Sequence, residues 1–133
     1  MTEEQDKDEL RFRHYLERKN LASLMNDTKW RELIAAIQSI DGYPPRFRVK
    51  CVRDREPDAD RWDLSFPFHV PRFREIEWLE FDPLVQTRSG AITSGPGEDF
   101  GQRIESRLAH ANVPFQRVGN AIRVVGYARP AKA

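Results

Sequence analysis

The sequence has a single cysteine, Cys51, no long apolar run and almost no excess of charge of either sign. One cysteine excludes an internal disulfide and favours a reducing compartment. A membrane-spanning helix needs roughly 18 or more consecutive apolar residues, and the polar, acidic start of the chain is unlike a secretory signal. These absences predict a soluble, cytoplasmic protein with no membrane contact.

The charges are balanced, with 22 Lys and Arg residues against 21 Asp and Glu, and the two signs are interspersed. No overall field would therefore draw the chain to nucleic acid or to an anionic membrane. A hydrophobic content of 39% over 133 residues is enough for one core. We predict a single domain, 1–133, with an N-terminal helical extension at 1–25, a core at 26–127 and a tail at 128–133.

Apolar spacing predicts three helices. The first covers about 8–25, with apolar residues at irregular intervals. The second begins within Asn26-Asp-Thr28, three good N-cap residues in a row, and ends at Gly42, because Pro44 and Pro45 cannot continue it. Its apolar side chains recur at helical spacing: Trp30, Leu33, Ile34, Ile37 and Ile40. The third helix has them about four residues apart: Phe100, Ile104, Leu108 and Ala111.

Alternation with a period of two predicts strands at 46–51, 62–69, within 73–81, and in a closing hairpin with strands at 113–118 and 121–127. A surface loop at 82–97 is predicted from its Gly, Ser, Thr and Pro content. The element order is α-α-β-β-β-α-β-β. It favours an α+β fold with a mostly antiparallel sheet and the helices packed on one face.

The sequence contains no recognisable metal or phosphate site. The three histidines and Cys51 fall on four different predicted elements without metal-ligand spacing. The glycine-rich segment at 89–97 lacks the Gly-Lys-Ser/Thr ending of a phosphate loop. Glu98 and Asp99, placed in the first turn of the third helix, would repel an anion. We predict no metal and no cofactor.

Two carboxylates, Glu75 and Glu77, share a predicted strand face that His69 could approach. A small hydrolase or transferase could use these three residues, although cross-strand salt bridges would explain the carboxylates equally well. Nucleic-acid binding through strand arginines is a weaker alternative, because the same carboxylates would repel phosphates.

Strand alternation assembles a mixed face of both charge signs with aromatic side chains, which is typical of a protein-binding surface. The alternative is that the first helix packs over this face, which would then not be a binding surface. The members predicted to bind a partner are Arg46, Arg48, Lys50, Asp63, Glu75, Glu77, Leu79, Phe81, Arg123 and Tyr127.

Four short segments carry a resemblance to a known family: Asn26-Asp-Thr-Lys-Trp30, Trp62-Asp63, Ile76-Glu-Trp-Leu-Glu80 and Val124-Val-Gly-Tyr127. The chain resembles a family of small bacterial proteins described only as a domain of unknown function. The likeness covers 26–127, leaves the first helix outside and implies no activity. At the level of class, small bacterial proteins of this kind resemble immunity proteins, which neutralise a toxin by covering it.

We therefore expect a non-enzymatic protein-binding module, most concretely an immunity-type protein that inhibits a toxin. Its partner would be another bacterial protein, such as a cognate toxin. The enzymatic and nucleic-acid alternatives stay open at this point.

Overall fold

The computed structural model describes residues 2–58, 61–85 and 97–129. These residues form three α-helices and a 3-10 turn: α1 (Glu3–Arg18), α2 (Asp27–Gln38), α3 (Gly101–His110) and the turn Phe73–Glu75. The strands are β1 (Ala22–Ser23), β2 (Phe47–Cys51), β3 (Ile76–Phe81), β4 (Leu84–Val85), β5 (Glu98–Asp99), β6 (Gln116–Val118), β7 (Ala121–Val125) and β8 (Tyr127–Ala128). The predicted α+β class is confirmed.

The central sheet has four antiparallel strands in the order β2-β3-β7-β6. Phe47 lies opposite Phe81, and Phe81 lies opposite Ile122. Because side chains alternate along a strand, these three share one face, and all three are buried. The opposite face of the sheet, called here the open face, includes the side chains of Arg48 and Glu80. Two short ladders, β1–β8 and β4–β5, lie outside this sheet.

Helices α2 and α3 supply apolar side chains to the same core cluster as the buried sheet face: Trp30, Leu33, Ile37, Ile104 and Leu108. The side chain of Asn26 accepts a hydrogen bond from the amide of Lys29 at 2.8 Å. It satisfies one of the free amides at the start of α2. After α2, Gly42 adopts a φ of +76°, which favours glycine. The predicted start of the second helix is therefore confirmed. Its predicted end at Gly42 is wrong, because the helix ends at Gln38 with Ser39 as its C-cap.

Helix α1 begins earlier and ends earlier than predicted. It ends at Arg18, because Asn20 adopts a φ of +54° and the amide of Leu21 donates to the carbonyl of Leu16. Ala22–Ser23 then pairs with β8. The ring of Phe12 packs edge-on against Tyr127 with ring centres 6.5 Å apart, and the hydroxyl of Tyr15 donates to the carbonyl of Val52. These contacts place α1 at the end of the sheet. In the described part of the chain, no helix is long and apolar enough to span a bilayer.

The strand predicted at 62–69 is wrong. Only Asp63 pairs there, in an isolated bridge with Phe47, and the chain then turns. The side chain of Phe66 inserts beside the rings of Phe47 and Phe81, and Pro67 offers no amide for a ladder. The segment is therefore a packed loop.

Two further boundaries differ from the expectation. Phe73–Glu75 forms the 3-10 turn, so β3 starts only at Ile76. Glu98 and Asp99 pair with β4 ahead of α3, so the prediction that they occupy the first helical turn is wrong. The glycine-rich segment at 89–97 lies outside the described residues, apart from Gly97.

The last predicted strand, 121–127, is divided at Gly126 into β7 and β8. The amide of Gly126 donates to the carbonyl of Glu77 at 2.7 Å, and its own carbonyl accepts from the amide of Leu24 at 2.8 Å. A Cβ atom here would collide with the carbonyl oxygen of Ile76 and would contact the ring of Trp30. This close backbone approach requires glycine.

We expect Gly126→Ala to lower the free energy of unfolding by about 1–3 kcal/mol, because the added methyl group meets backbone that cannot move aside. Gly119→Asn is the matched control, since the space around Gly119 is open and asparagine tolerates its φ of +60°. Urea denaturation measures both. Equal stability of the two variants would contradict the close packing.

Candidate protein-binding surface

A buried carboxylate lies at the centre of the open face. The side chain of Glu80 is fully buried, and its two oxygens accept hydrogen bonds from Nε of Arg48 at 2.6 Å and Nε of Arg123 at 2.7 Å. The three residues meet because Arg48, Glu80 and Arg123 lie directly opposite one another across β2, β3 and β7. A buried charge of this kind must be paired, and here two arginines pair it.

Two tryptophans complete this group, called here the Glu80 cluster: Arg48, Trp62, Trp78, Glu80 and Arg123. The guanidinium of Arg48 lies 4.3 Å from the ring centre of Trp62, and that of Arg123 lies 4.1 Å from Trp78. Such cation–π contacts restrict both guanidiniums to one orientation. The cluster is therefore a rigid layer on the face that the core helices leave uncovered.

Three other cations on or beside β2 each lie close to a carboxylate. Lys50 Nζ is 3.1 Å from Oε1 of Glu77, and Arg53 is 3.1 Å from Oε1 of Glu75. Arg46 lies 3.4 Å from Asp82. This arrangement neutralises the strand cations that could have bound phosphates, so the geometry does not favour nucleic-acid binding.

The 61–70 loop lies beside the Glu80 cluster and is fixed to the sheet at two points. The backbones of Phe47 and Asp63 exchange two hydrogen bonds, at 3.0 and 2.7 Å. The ring of Phe66 packs edge-on against Phe47 and against Phe81, with ring centres 5.4 Å apart in each case. One aromatic side chain thus anchors the loop in the core.

The same loop presents two large apolar side chains to solvent. Phe68 is 88% exposed and Leu64 is 71% exposed. Other exposed large apolar residues reach at most 58% in the described ranges. A side chain this exposed contributes little to the core, so Phe68 and Leu64 remain as apolar groups on the surface of an anchored loop.

Asp63 organises the turn between these two side chains. Its Oδ1 accepts from the amide of Ser65 at 2.8 Å, and its Oδ2 is 2.8 Å from Nδ1 of His69. Desolvation alone would raise the pKa of Asp63, but the hydrogen bonds from Ser65 and His69 outweigh it and lower that pKa below its ordinary value. The carboxylate form of Asp63 is therefore the one that the loop favours.

Two of the residues predicted for the partner-binding face do not belong to it. Leu79 and Phe81 are completely buried in the core on the side of α2 and α3, so that prediction is wrong. The predicted face placed Glu75 and Glu77 in phase with the arginines of β2. In the structure, the residues in phase with Arg48 are Trp78 and Glu80.

The other predicted residues lie at several places on the surface. Arg48 and Arg123 are in the Glu80 cluster, and Asp63 is in the 61–70 loop. The hydroxyl of Tyr127 donates to the carbonyl of Arg74 at 2.6 Å, and burial raises the pKa of Tyr127. Lys50 and Glu77 line one groove with Tyr15 and Lys19, so α1 borders one end of the predicted face.

The three residues of the enzymatic alternative are not brought together. His69 is bound to Asp63, beside the first residue of β2, whereas Glu75 and Glu77 lie near its last residue, where Cys51 pairs with Ile76. Five residues of strand separate these ends by about 13 Å, too far for His69 and Glu77 to act on one bond.

No group of three or more His, Cys, Asp or Glu side chains suited to a metal ion occurs in the part of the chain that the structure describes. Burial, together with nearby Asp54 and Glu75, raises the pKa of Cys51 to about 11. The thiol is therefore a poor nucleophile at neutral pH.

Sequence reasoning missed the residues that define this surface: Glu80, Leu64 and Phe68. A signal for Glu80 was present, because a charge between the apolar residues Leu79 and Phe81 needs a partner on a neighbouring strand. For the 61–70 loop, the one signal against a strand was Pro67, because proline has no amide hydrogen to donate to a strand ladder.

A family model described as "Family of unknown function (DUF6678)" matches residues 12–131. The chain belongs to this family. Searches of curated proteins and of solved structures found no match. The DUF6678 match contains the whole Glu80 cluster and the 61–70 loop. It also begins inside α1, so the family includes part of the helix that the sequence resemblance left outside.

We expect Glu80→Gln to lower the free energy of unfolding by about 3 kcal/mol, because it leaves two arginines without their shared carboxylate. Glu105→Gln is the control: it removes one carboxylate from an exposed pair with Arg117, which contributes less than about 1 kcal/mol. Thermal or urea unfolding measures both variants. A loss for Glu80→Gln no larger than that of the control would show that the cluster is not stabilising.

The lowered pKa of Asp63 predicts how the loop responds to acid. The stabilisation from its carboxylate is complete above the ordinary pKa of 3.8 and is lost as the pH falls through the lowered value. The amide resonance of Ser65 should therefore titrate with a midpoint below 3.8, and Asp63→Asn should abolish that titration. A midpoint at or above 3.8 would contradict the hydrogen bonds described.

Proposed function

We propose that this DUF6678 protein is a non-enzymatic protein-binding module that uses the 61–70 loop as its main contact. One observation carries the proposal: Leu64 and Phe68 are largely exposed on a loop that Phe66 anchors in the core. The Glu80 cluster forms the rigid base beside this loop through Trp62 and Arg48.

The anchoring supports a binding role because it reduces the entropy lost on association. A loop that is ordered before binding does not have to be ordered by the partner. The 61–70 loop has hydrogen bonds from His69 to Ser65 and from Val70 to Pro67 along its backbone, in addition to the bridge at Asp63. Its two apolar tips are therefore presented in a defined geometry.

The size of the apolar tips indicates a useful affinity. Burial of a leucine or phenylalanine side chain contributes roughly 1.5–3 kcal/mol. Together, Leu64 and Phe68 would contribute roughly 3–6 kcal/mol, which is a factor of at least about 100 in the dissociation constant.

The charges around the loop indicate the chemistry of the partner. Arg61, at its start, and Arg72, two residues beyond its end, are both exposed, while Asp63 is occupied within the loop by Ser65 and His69. A matching partner is a protein with an apolar pocket and acidic side chains at the rim.

The narrower form of the proposal is an immunity-type protein that inhibits a bacterial toxin by covering it. The support for it is analogy at the level of class, together with a pre-ordered loop suited to tight stoichiometric binding. Inhibition of an identified partner's activity by one equivalent of this chain would separate this form from other protein-binding roles.

The proposal predicts that Leu64→Ser combined with Phe68→Ser weakens a stoichiometric complex about 100-fold without unfolding the protein, because both side chains are already in solvent. Affinity capture from lysate, followed by titration of the purified partner, measures the effect. The matched control is Leu10→Ser with Leu84→Ser, which removes two exposed leucines from other parts of the chain.

The proposal is supported if the loop variant loses the partner and the control variant keeps it. It is overturned if both variants bind alike. It is also overturned if the wild-type chain captures no stoichiometric partner.

A further inference from the structure

A second feature of the open face is a groove of about 300 Å³ where β6 and β7 meet the segment that follows β1. Its walls are mainly apolar, and two polar side chains, Gln116 and Arg123, also line it. The apolar walls include Leu24, Met25, Phe115 and Val125. The groove shares Arg123 with the Glu80 cluster but none of the exposed tips of the 61–70 loop, so it is independent of the proposed function.

Arg123 is a fixed cation in this groove. Its Nε donates to Glu80 and its guanidinium is stacked on Trp78, so its position is set before any ligand arrives. The side chain is 23% exposed. Over the ranges 2–58, 61–85 and 97–129, its two terminal nitrogens have no hydrogen-bond partner. The pairing of Arg123 is therefore incomplete, because Glu80 also serves Arg48.

We propose that this groove binds a free, medium-chain monocarboxylate, with the carboxylate on the terminal nitrogens of Arg123 and the apolar body between Leu24 and Phe115. Planar guanidinium groups match carboxylates with two parallel hydrogen bonds. An apolar wall with one placed charge is the usual composition of a small-molecule site.

The volume of the groove selects the size of the ligand. A volume of about 300 Å³ lies at the small end of the range for small-molecule sites. An eight-carbon acid has about this size. The carboxyl terminus of a peptide offers the same chemistry, but most of its atoms would lie outside the groove.

The test is titration of the full chain with octanoate, followed by calorimetry and by the amide and Arg123 Nε resonances. Octanol and octylamine are the comparison compounds, because each has the same apolar body without the negative charge. Octanoate should bind saturably, at least tenfold more tightly than either, and should shift the Nε resonance of Arg123.

Two variants that place opposite charges at position 24 give the most specific control. Leu24 is 58% exposed, so its replacement leaves the core intact, and Leu24→Asp and Leu24→Lys remove the same apolar wall. The aspartate should weaken octanoate binding at least tenfold relative to the lysine. Arg123→Gln should also weaken it, while Arg107→Gln, which changes an exposed arginine on α3, should not.

Three results would overturn the proposal: no saturable binding of octanoate, equal binding of octanol, or the same affinity in both Leu24 variants. Binding of a leucine-terminated peptide with a free carboxylate, but not of octanoate, would also overturn it. Combined substitution of Leu64 and Phe68 by serine should leave octanoate affinity unchanged, so this proposal and the protein-binding proposal can fail separately.

Discussion

The open face of the sheet depends on the pairing of Glu80. A fully buried carboxylate on the side away from the core helices requires positive charge from both neighbouring strands, and Arg48 and Arg123 supply it through their Nε atoms. Because their guanidiniums also stack on Trp62 and Trp78, the face has one arrangement. A buried ionic group costs desolvation but favours a unique geometry, and here that geometry fixes the register of three strands.

Both candidate binding features are built on this cluster. On one side, Trp62 is the second residue of the 61–70 loop, so the exposed Leu64 and Phe68 follow shortly after a residue that contacts Arg48. On the other side, Arg123 enters the apolar groove with its terminal nitrogens available in the described structure. The same pairing thus leaves one edge of the face suited to an apolar contact and the other suited to an anion.

Short-range sequence signals predicted those elements whose backbone hydrogen bonds are satisfied by residues nearby in the chain. The cap at the start of α2 joins Asn26 and Lys29, which are three positions apart, so the start of this helix could be predicted from the sequence. The conformation of the 61–70 segment could not be predicted in this way. Its alternation is that of a strand, but Phe66 is withdrawn into contacts with Phe47 and Phe81, which are distant in sequence. The face assignment of Leu79 and Phe81 failed for a similar reason, since the phase of β3 is set by its pairing partners.

Short-range periodicity and backbone chemistry predict four features from the sequence alone: the α+β class, the helix that follows Asn26, the closing hairpin and the alternating charges on β2. Three other features depend on tertiary contacts: which face each charge occupies, that Glu80 is the residue the arginines share, and that Phe68 is left in solvent. The physical reason is register: a shift of one residue moves every side chain of a strand to the opposite face, and strand partners far along the chain select that register.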